Sequence, residues 1–233
     1  MADFKRARHA DQKSARRQEL LRAASELFDD GGPLGAGINA IAAHAAFTKS
    51  NVYRYFESRE HVLLALFLEE FANFAGQATD ELGRLPPSGP SDVAATITNG
   101  FASRPRLCKL AAVFGSMLEQ NVSVGAIEDV KRTLAIETGP LVEAMARSLP
   151  GSNVQDCGWA FAMIISLLAG MWPGASPSPA TAQILAQPEF AGMLLTLDVD
   201  FRRGVTAILA SVATSPSREE AADRMAARSA PAP

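Results

Sequence analysis

Apolar residues recur at helical spacing along most of this sequence, and that periodicity is the strongest constraint on its fold. Leu20, Ala24 and Phe28 are spaced by four residues, so they share one face of a helix. We assign this helix to residues 13–29. Glycine and proline collect between the apolar runs, and the alternating pattern of a half-buried strand is scarce. We therefore predict an all-α fold.

Further apolar runs predict a series of helices separated by breaks. The predicted helices span residues 38–45, 59–82, 92–101, 104–120, 124–148, 153–172 and 197–213. Gly31-Gly32-Pro33 ends the first helix, because glycine accepts a left-handed cap and proline cannot continue the hydrogen-bond ladder. Pro140 is expected to bend the helix in which it lies. Residues 85–90 and 173–179 are rich in proline and are predicted to be loops.

Residues 47–60 have the clearest functional pattern. They predict a short helix with Thr48 as its N-cap and with Val52 and Tyr55 turned inward. Its outer side presents Lys49, Ser50, Tyr53 and Arg54. The predicted helix 38–45 precedes it across a tight turn. Two short helices joined in this way form a helix-turn-helix, whose second helix enters the major groove of DNA.

The charge distribution agrees with a DNA partner. The chain has a net charge of −3, but residues 1–59 carry ten Lys or Arg and seven Asp or Glu, a net charge of +3. The remaining residues therefore carry −6. A cationic N-terminal part on an acidic remainder is typical of a nucleic-acid-binding domain attached to a second domain.

Residues 13–60 resemble the DNA-binding domain of the tetracycline-repressor (TetR) family of bacterial transcription regulators. The similarity covers Glu19–Phe28, Ile41–Ala45 and the run Val-Tyr-Arg-Tyr-Phe at 52–56, followed by Arg59. Two positions differ from the family pattern. Ala46 stands where glycine is usual, which predicts some strain in the turn. Gly37 stands where the family has a threonine cap, which is a weaker cap.

The resemblance implies an N-terminal three-helix helix-turn-helix DNA-binding domain followed by a larger helical ligand-binding and dimerisation domain. The predicted parts are a flexible basic arm at 1–12, the DNA-binding domain at 13–60, the effector-binding and dimerisation domain at 61–213, and a flexible tail at 214–233.

Phosphate contacts position such a protein on double-stranded DNA, and base contacts select the sequence. The resemblance gives Tyr53, Tyr55 and Arg59 backbone roles. Base-edge contacts are predicted from residue types, since Asn suits adenine and Lys or Arg suits guanine. The candidate DNA-binding residues are Asn39, Thr48, Lys49, Ser50, Asn51, Tyr53, Arg54, Tyr55 and Arg59. Two alternatives stay open: Tyr55 as a core residue, and Arg54 paired with an acidic neighbour.

The resemblance also implies a homodimer that places two recognition helices about 34–36 Å apart on a palindrome. Helices 153–172 and 197–213 would pair with their symmetry mates as a four-helix bundle. The candidate interface residues are Met163, Ile164, Leu167, Met171, Phe201 and Val205. Some of these are expected to lie in the core of one chain instead.

The resemblance further implies a small-molecule effector that binds within the helical body, and the few charges in this half of the chain favour an apolar effector. The candidate pocket residues are Phe101, Phe114, Met117, Met145, Trp159 and Met163. Aromatic and Met residues at helical spacing are core residues more often than pocket residues, so a core role remains the alternative for each.

Enzymatic chemistry has little support in the sequence. The glycines at 31–37 lack the lysine of a phosphate loop, and the three His and two Cys share no metal-ligand spacing. We therefore predict no enzyme, no metal and no cofactor. Cys108 and Cys157 suit a reducing cytoplasm, and no secretory signal is found. The apolar run 158–172 is shorter than the roughly 18–20 residues of a membrane span, so no membrane partner is expected.

The predicted function is sequence-specific transcription regulation, by a repressor that a small apolar effector releases from a palindromic operator. Two alternatives remain: a non-specific or architectural DNA-binding protein, and a small-molecule-binding helical protein with a vestigial DNA-binding head.

Overall fold

The computed structural model describes the backbone of residues 2–213, and the side chains from residue 12 onward except that of Ala191. This part of the chain is helical and contains no strand, which confirms the predicted all-α class. The helices are α1 (Ala2–Gly35), α2 (Ile38–His44), α3 (Lys49–Val52), α4 (Arg59–Arg84), α5 (Pro90–Ala102), α6 (Pro105–Val113), α7 (Val124–Ser148), α8 (Val154–Ala175), α9 (Pro179–Leu185) and α10 (Arg202–Ala213). Short π-helical turns at Phe114–Leu118 and Leu197–Phe201 follow α6 and precede α10.

Helix α1 is longer than the sequence predicts. It begins at Ala2, so the segment predicted as a flexible arm (1–12) belongs to the helix from Ala2 onward. Seven of its twelve residues are Ala, Arg, Lys or Gln, all of which favour helix. The predicted break is confirmed at Gly32, which has φ 63° and ψ −159°. The predicted flexible tail (214–233) lies outside the described residues.

Two features near the C-terminal end differ from the predictions. Helix α8 spans 22 residues and continues past Pro173, so the argument from length against a membrane span was wrong. By length and composition it is able to cross a membrane, with a mean hydropathy of 1.4 over 18 residues, of which 28% are buried. Helix α9, capped by Ser178, was not predicted. It buries no residue, so it has no apolar stripe to detect.

The described residues divide into two compact units. The first contains residues up to Ala72 together with Pro105–Ala135, and the second contains Asn73–Arg104 and the residues from Ile136 onward. In the first unit, α2 packs against α1 and α3. The centre of this packing is fully buried and consists of Leu20, Phe28, Ile41, Val52 and Phe56. The division of the chain at residue 60 stays a prediction.

The second unit is built around α10, which packs against α5 and α8. Phe101 stacks on Phe74 with ring centroids 4.1 Å apart. The rings of Phe101 and Phe201 form an edge-to-face pair with centroids 6.0 Å apart. Helices α8 and α10 approach closely at Gly204, where an added Cβ would lie 2.6 Å from a methyl carbon of Leu167. A larger residue at this crossing would force the Leu167 side chain to move.

The thiols of Cys108 and Cys157 are both fully buried. Burial raises the pKa of the Cys108 thiol to about 12. It also raises the pKa of Cys157, although a hydrogen bond with Ser152 opposes this shift. Neither thiol is ionised near neutral pH, so neither is a reactive group.

Candidate DNA-binding site

Residues 48–56, here called the recognition segment, are fixed at both ends. The Thr48 hydroxyl accepts a hydrogen bond from the Asn51 amide at 3.3 Å, which confirms the predicted N-cap. Helical hydrogen bonding continues beyond α3 to Phe56, whose amide donates to the Val52 carbonyl at 3.0 Å. Val52 and Phe56 are at most 1% exposed. These two anchors determine which side chains face outward.

The turn before the recognition segment requires a left-handed residue. Ala46 occupies it with φ 57°, and the Phe47 amide closes the turn by donating to Ala42 at 2.8 Å. An L-residue in this conformation costs about 1–2 kcal/mol. The predicted strain at Ala46 is therefore present. Gly37 caps α2 without a side-chain hydrogen bond, as its residue type predicted.

The outward side of the recognition segment is polar and cationic. Lys49, Ser50, Tyr53 and Arg54 are exposed, Tyr53 by 49%. The Lys49 ammonium lies over the Tyr53 ring, 5.9 Å from its centroid. Within the side chains described, from residue 12 on, neither Lys49 nor Arg54 forms an ion pair. The alternative of an acidic partner for Arg54 therefore has no support there.

Two of the remaining predicted residues, Thr48 and Asn39, are also exposed, and the other three are less accessible. Asn51 and Tyr55 are half-buried, and Asn39 is exposed on α2. Arg59 is engaged with Glu60, whose Oε1 accepts from Nη2 at 2.6 Å and from Nε at 3.0 Å. Glu60 is only 7% exposed. Because a guanidinium has five N–H donors, Arg59 retains donors for a phosphate, but its charge is already compensated.

The loop after the recognition segment is tied to α7. The Ser123 amide donates to Glu57 Oε1 at 2.7 Å, and this bond lowers the pKa of the Glu57 carboxyl. The Glu57 amide donates a hydrogen bond to His61 Nδ1 at 3.3 Å. The rings of His61 and Phe56 form an edge-to-face pair with centroids 5.6 Å apart. Burial lowers the pKa of His61, although the Glu57 carboxylate opposes this. A neutral imidazole that accepts through Nδ1 fits this site.

Two side-chain links hold the helices behind the site, and sequence reasoning missed both. Arg106 of α6 donates to Asp29 of α1 at 3.0 and 2.5 Å, and to Glu70 of α4 at 2.5 Å. These bonds raise the Arg106 pKa. His44, at the end of α2, contacts Glu26 of α1 at 2.6 Å. The partners are separated by 18 to 77 residues in sequence, so no local pattern indicates them.

Sequence reasoning also missed two cations on α1. Lys13 and Arg16 line a cleft with Gln12, Arg54 and Tyr55. Both lie in the predicted helix 13–29, but the sequence does not indicate that this end of the helix lies beside Arg54.

The predicted interface residues divide into two groups. Ile164, Phe201 and Val205 have no exposed area within one chain, so they are core residues and cannot contact a partner. This corrects their assignment. Met163 is 38% exposed, and Leu167 and Met171 are half-buried.

The predicted pocket residues do not share one environment. Phe101 and Met145 are fully buried in the second unit, and Phe101 is stacked against Phe74. Trp159 and Met163 are instead exposed on α8, Trp159 by 46%. Phe114 and Met117 are half-buried in the first unit. An effector pocket lined by these six residues stays a prediction.

Comparison with known sequences gives two matches that cover most of the chain. Residues 20–66 match the family model described as bacterial regulatory proteins, tetR family. Residues 68–215 match the model described as the tetracyclin repressor-like C-terminal domain. None of the curated proteins matches the chain by sequence.

Several solved structures share the fold at low sequence identity. A transcriptional regulator from Rhodococcus sp. Rha1 is 17% identical, with a TM-score of 0.54 over 86% of this chain and 99% of that one. A putative TetR-family regulator from Mesorhizobium loti is 15% identical, with a TM-score of 0.52 over 85% and 95%. FadR from Bacillus subtilis, solved in complex with stearoyl-CoA, is 14% identical, with a TM-score of 0.50 over 84% and 97%.

Proposed function

Because the chain belongs to the tetracycline-repressor family of transcription regulators, we propose that it is a sequence-specific, homodimeric repressor that a small apolar effector releases from a palindromic operator. The observation that supports this most is the recognition segment. It is anchored from below by Val52 and Phe56 and presents Lys49 and Arg54 outward. A buried scaffold that fixes an exposed cationic side suits an anionic partner with a regular shape.

The roles within the segment follow from chemistry and position. Lys49, Ser50 and Asn51 occupy the first turn, and the N-terminal residues of a recognition helix contact base edges. Lys suits guanine and Asn suits adenine. Tyr53 and Tyr55 are assigned to the DNA backbone, where their hydroxyls donate to phosphate oxygens.

Dimerisation is assigned to the outward side of α8. Trp159, Met163, Leu167 and Met171, here called the apolar face of α8, retain accessible area in one chain. An exposed apolar patch is typical of a protein–protein interface. The family binds DNA, dimerises and binds small molecules. We assign the apolar face to a second copy rather than to a membrane, and the protein to the cytoplasm.

The effector is proposed to be apolar, with no enzymatic step. Family members are generally non-enzymatic. The acyl chain of stearoyl-CoA, which the B. subtilis FadR binds, is one example of such a ligand and belongs in the test panel. A ligand that prefers the arrangement unable to bind DNA needs a coupling of about 1–3 kcal/mol to change affinity about 5–150-fold.

The test begins with selection of duplexes from a randomised pool by the purified full-length protein. A specific regulator is expected to recover a palindrome and to bind it at least about 10³-fold more tightly than a scrambled duplex. Asn51→Ala should cost about 1–3 kcal/mol at particular base pairs only. Fatty acids, acyl-CoAs and other apolar compounds are then added to the complex while anisotropy is followed.

Each part of the proposal fails separately. Equal affinity for selected and scrambled duplexes would favour an architectural DNA-binding protein. No release by any compound of the panel would contradict the apolar effector while leaving DNA specificity intact. Wild-type DNA affinity in a Tyr53→Ala, Asn51→Ala double variant would favour a vestigial DNA-binding domain.

A further inference from the structure

The first turns of α1 with described side chains lie outside the core of the first unit. From Gln12 to Glu19 no side chain is buried, and burial begins at Leu20. This stretch contains Lys13, Arg16 and Arg17. Core packing does not explain why such a stretch lies beside the recognition segment.

Three cations meet where this stretch approaches the recognition segment. Lys13 and Arg16 lie at i and i+3, so they point from the same side of α1. With Gln12, Arg54 and Tyr55 they line a cavity of about 310 Å³, here called the cationic cleft. The lining combines three positive groups with an amide and a phenol, and it contains no carboxylate among the described side chains.

The positive charge of the cleft is not compensated within the described part of the chain. Counting side chains from residue 12 onward, Lys13, Arg16 and Arg54 form no ion pair. Arg59, in contrast, is neutralised by Glu60 at 2.6 Å. Uncompensated cations on a fixed scaffold repel one another, and binding an anion between them relieves that repulsion.

The match to the N-terminal family model begins at residue 20, so Lys13 and Arg16 lie outside it. Gln12 lies outside it as well, so three of the five residues that line the cationic cleft are not part of the match. Arg54 falls within the match and lies beside Lys13 and Arg16.

We propose that the cationic cleft formed by Lys13, Arg16, Arg54 and Tyr55 binds a phosphodiester of the operator backbone, next to the groove that the recognition segment enters. Lys13, Arg16 and Arg54 donate charge-assisted hydrogen bonds to the phosphate oxygens, and the Tyr55 hydroxyl adds a neutral one. Arg54 thereby positions the protein on the DNA backbone and does not select the base sequence. The inference rests on the proposed function, because it assigns the anion to DNA.

The test compares Lys13→Gln, Arg16→Gln and Arg54→Gln in the full-length protein, with binding to the selected duplex measured across a series of salt concentrations. In a variant that combines the three changes, the one phosphate bound by each protomer is no longer neutralised, so the logarithmic slope of affinity against salt should fall by about 0.9 per protomer and by about 1.8 for a dimer. Affinity for a scrambled duplex should fall by the same factor as affinity for the selected one. Circular dichroism should show unchanged folding, because all three side chains are exposed.

Arg22→Gln is the matched control. It removes the same charge from the same helix, but Arg22 lines other cavities and not the cationic cleft. Its salt slope should stay close to that of the unaltered protein.

Three outcomes decide the matter. A wild-type slope in the variant that combines the three changes would overturn the proposal. A loss confined to particular base pairs in Arg54→Gln would return Arg54 to base reading and overturn its assignment to the cleft. If the unaltered protein bound every duplex alike, the proposed function would fail, while the slopes would still decide whether the cleft binds phosphate.

Discussion

The recognition segment and the apolar face of α8 both expose side chains, but those of the recognition segment are polar or cationic and those of α8 are apolar. The recognition segment spans residues 48–56 and exposes Lys49 and Arg54 above two buried anchors. Helix α8 is 22 residues long and exposes Trp159 and Met163 above a buried side. One surface suits a charged, strongly hydrated polymer, and the other suits an apolar partner.

The difference teaches how far residue type alone identifies a contact surface. In the recognition segment the inward and outward residues differ in polarity, so the sequence distinguishes the two sides. In α8 both sides are apolar, so the sequence does not distinguish the side that forms a contact surface from the side that packs in the core. Three substitutions test this contrast, beginning with the largest expected effect.

Phe56→Ala should unfold or strongly destabilise the first unit. Removing a fully buried Phe leaves a cavity and costs about 3–5 kcal/mol, measured as the free energy of unfolding in urea. Tyr53→Ala, three residues away and half exposed, should change that free energy by no more than about 0.5 kcal/mol while it weakens DNA binding. Similar destabilisation by both changes would mean that the two sides of the segment are not distinct.

Met163→Glu should weaken self-association by about 2 kcal/mol or more, about 30-fold, because it buries an unpaired carboxylate in the proposed dimer. Sedimentation equilibrium measures this directly. Ile136→Glu is the control, since Ile136 is also an apolar side chain of the second unit and is 65% exposed. If Met163→Glu stayed as fully dimeric as Ile136→Glu, the apolar face of α8 would not be the interface.

Ala46→Gly should stabilise the first unit by up to about 1 kcal/mol. Glycine removes the cost of φ 57° but adds freedom to the unfolded chain, so the gain is smaller than the strain. Ala45→Gly, at a φ of −83°, should instead destabilise by about 0.4–1 kcal/mol. Thermal unfolding of the pair measures the difference. Destabilisation by both would show that Ala46 is not strained.

Local patterns predicted the recognition segment closely. Thr48 caps it, Val52 lies inward, and Lys49, Ser50, Tyr53 and Arg54 are exposed, because each of these outcomes depends on neighbours within a few residues. The pairing of Arg59 with Glu60 was missed although the two are adjacent, since the sequence does not indicate that Glu60 is buried.

Outcomes that depend on distant residues were not predictable in the same way. Ile164, Phe201 and Val205 are core residues because α8 and α10 meet at Gly204, and no local signal indicates that crossing. Lys13 and Arg16 lie in the predicted helix 13–29, but their place beside Arg54 depends on how the first unit folds. Such placement requires the three-dimensional structure.

Because both natural thiols are buried, the unaltered chain should react little with thiol-specific labels. With Cys108 and Cys157 shielded and un-ionised, a maleimide probe would react at a cysteine introduced on the surface and spare the natural ones. A Ser50→Cys protein carrying a spin label on each protomer would then report the span between two recognition segments directly. The same sample, measured with and without effector, would reveal how far that span changes when DNA is released.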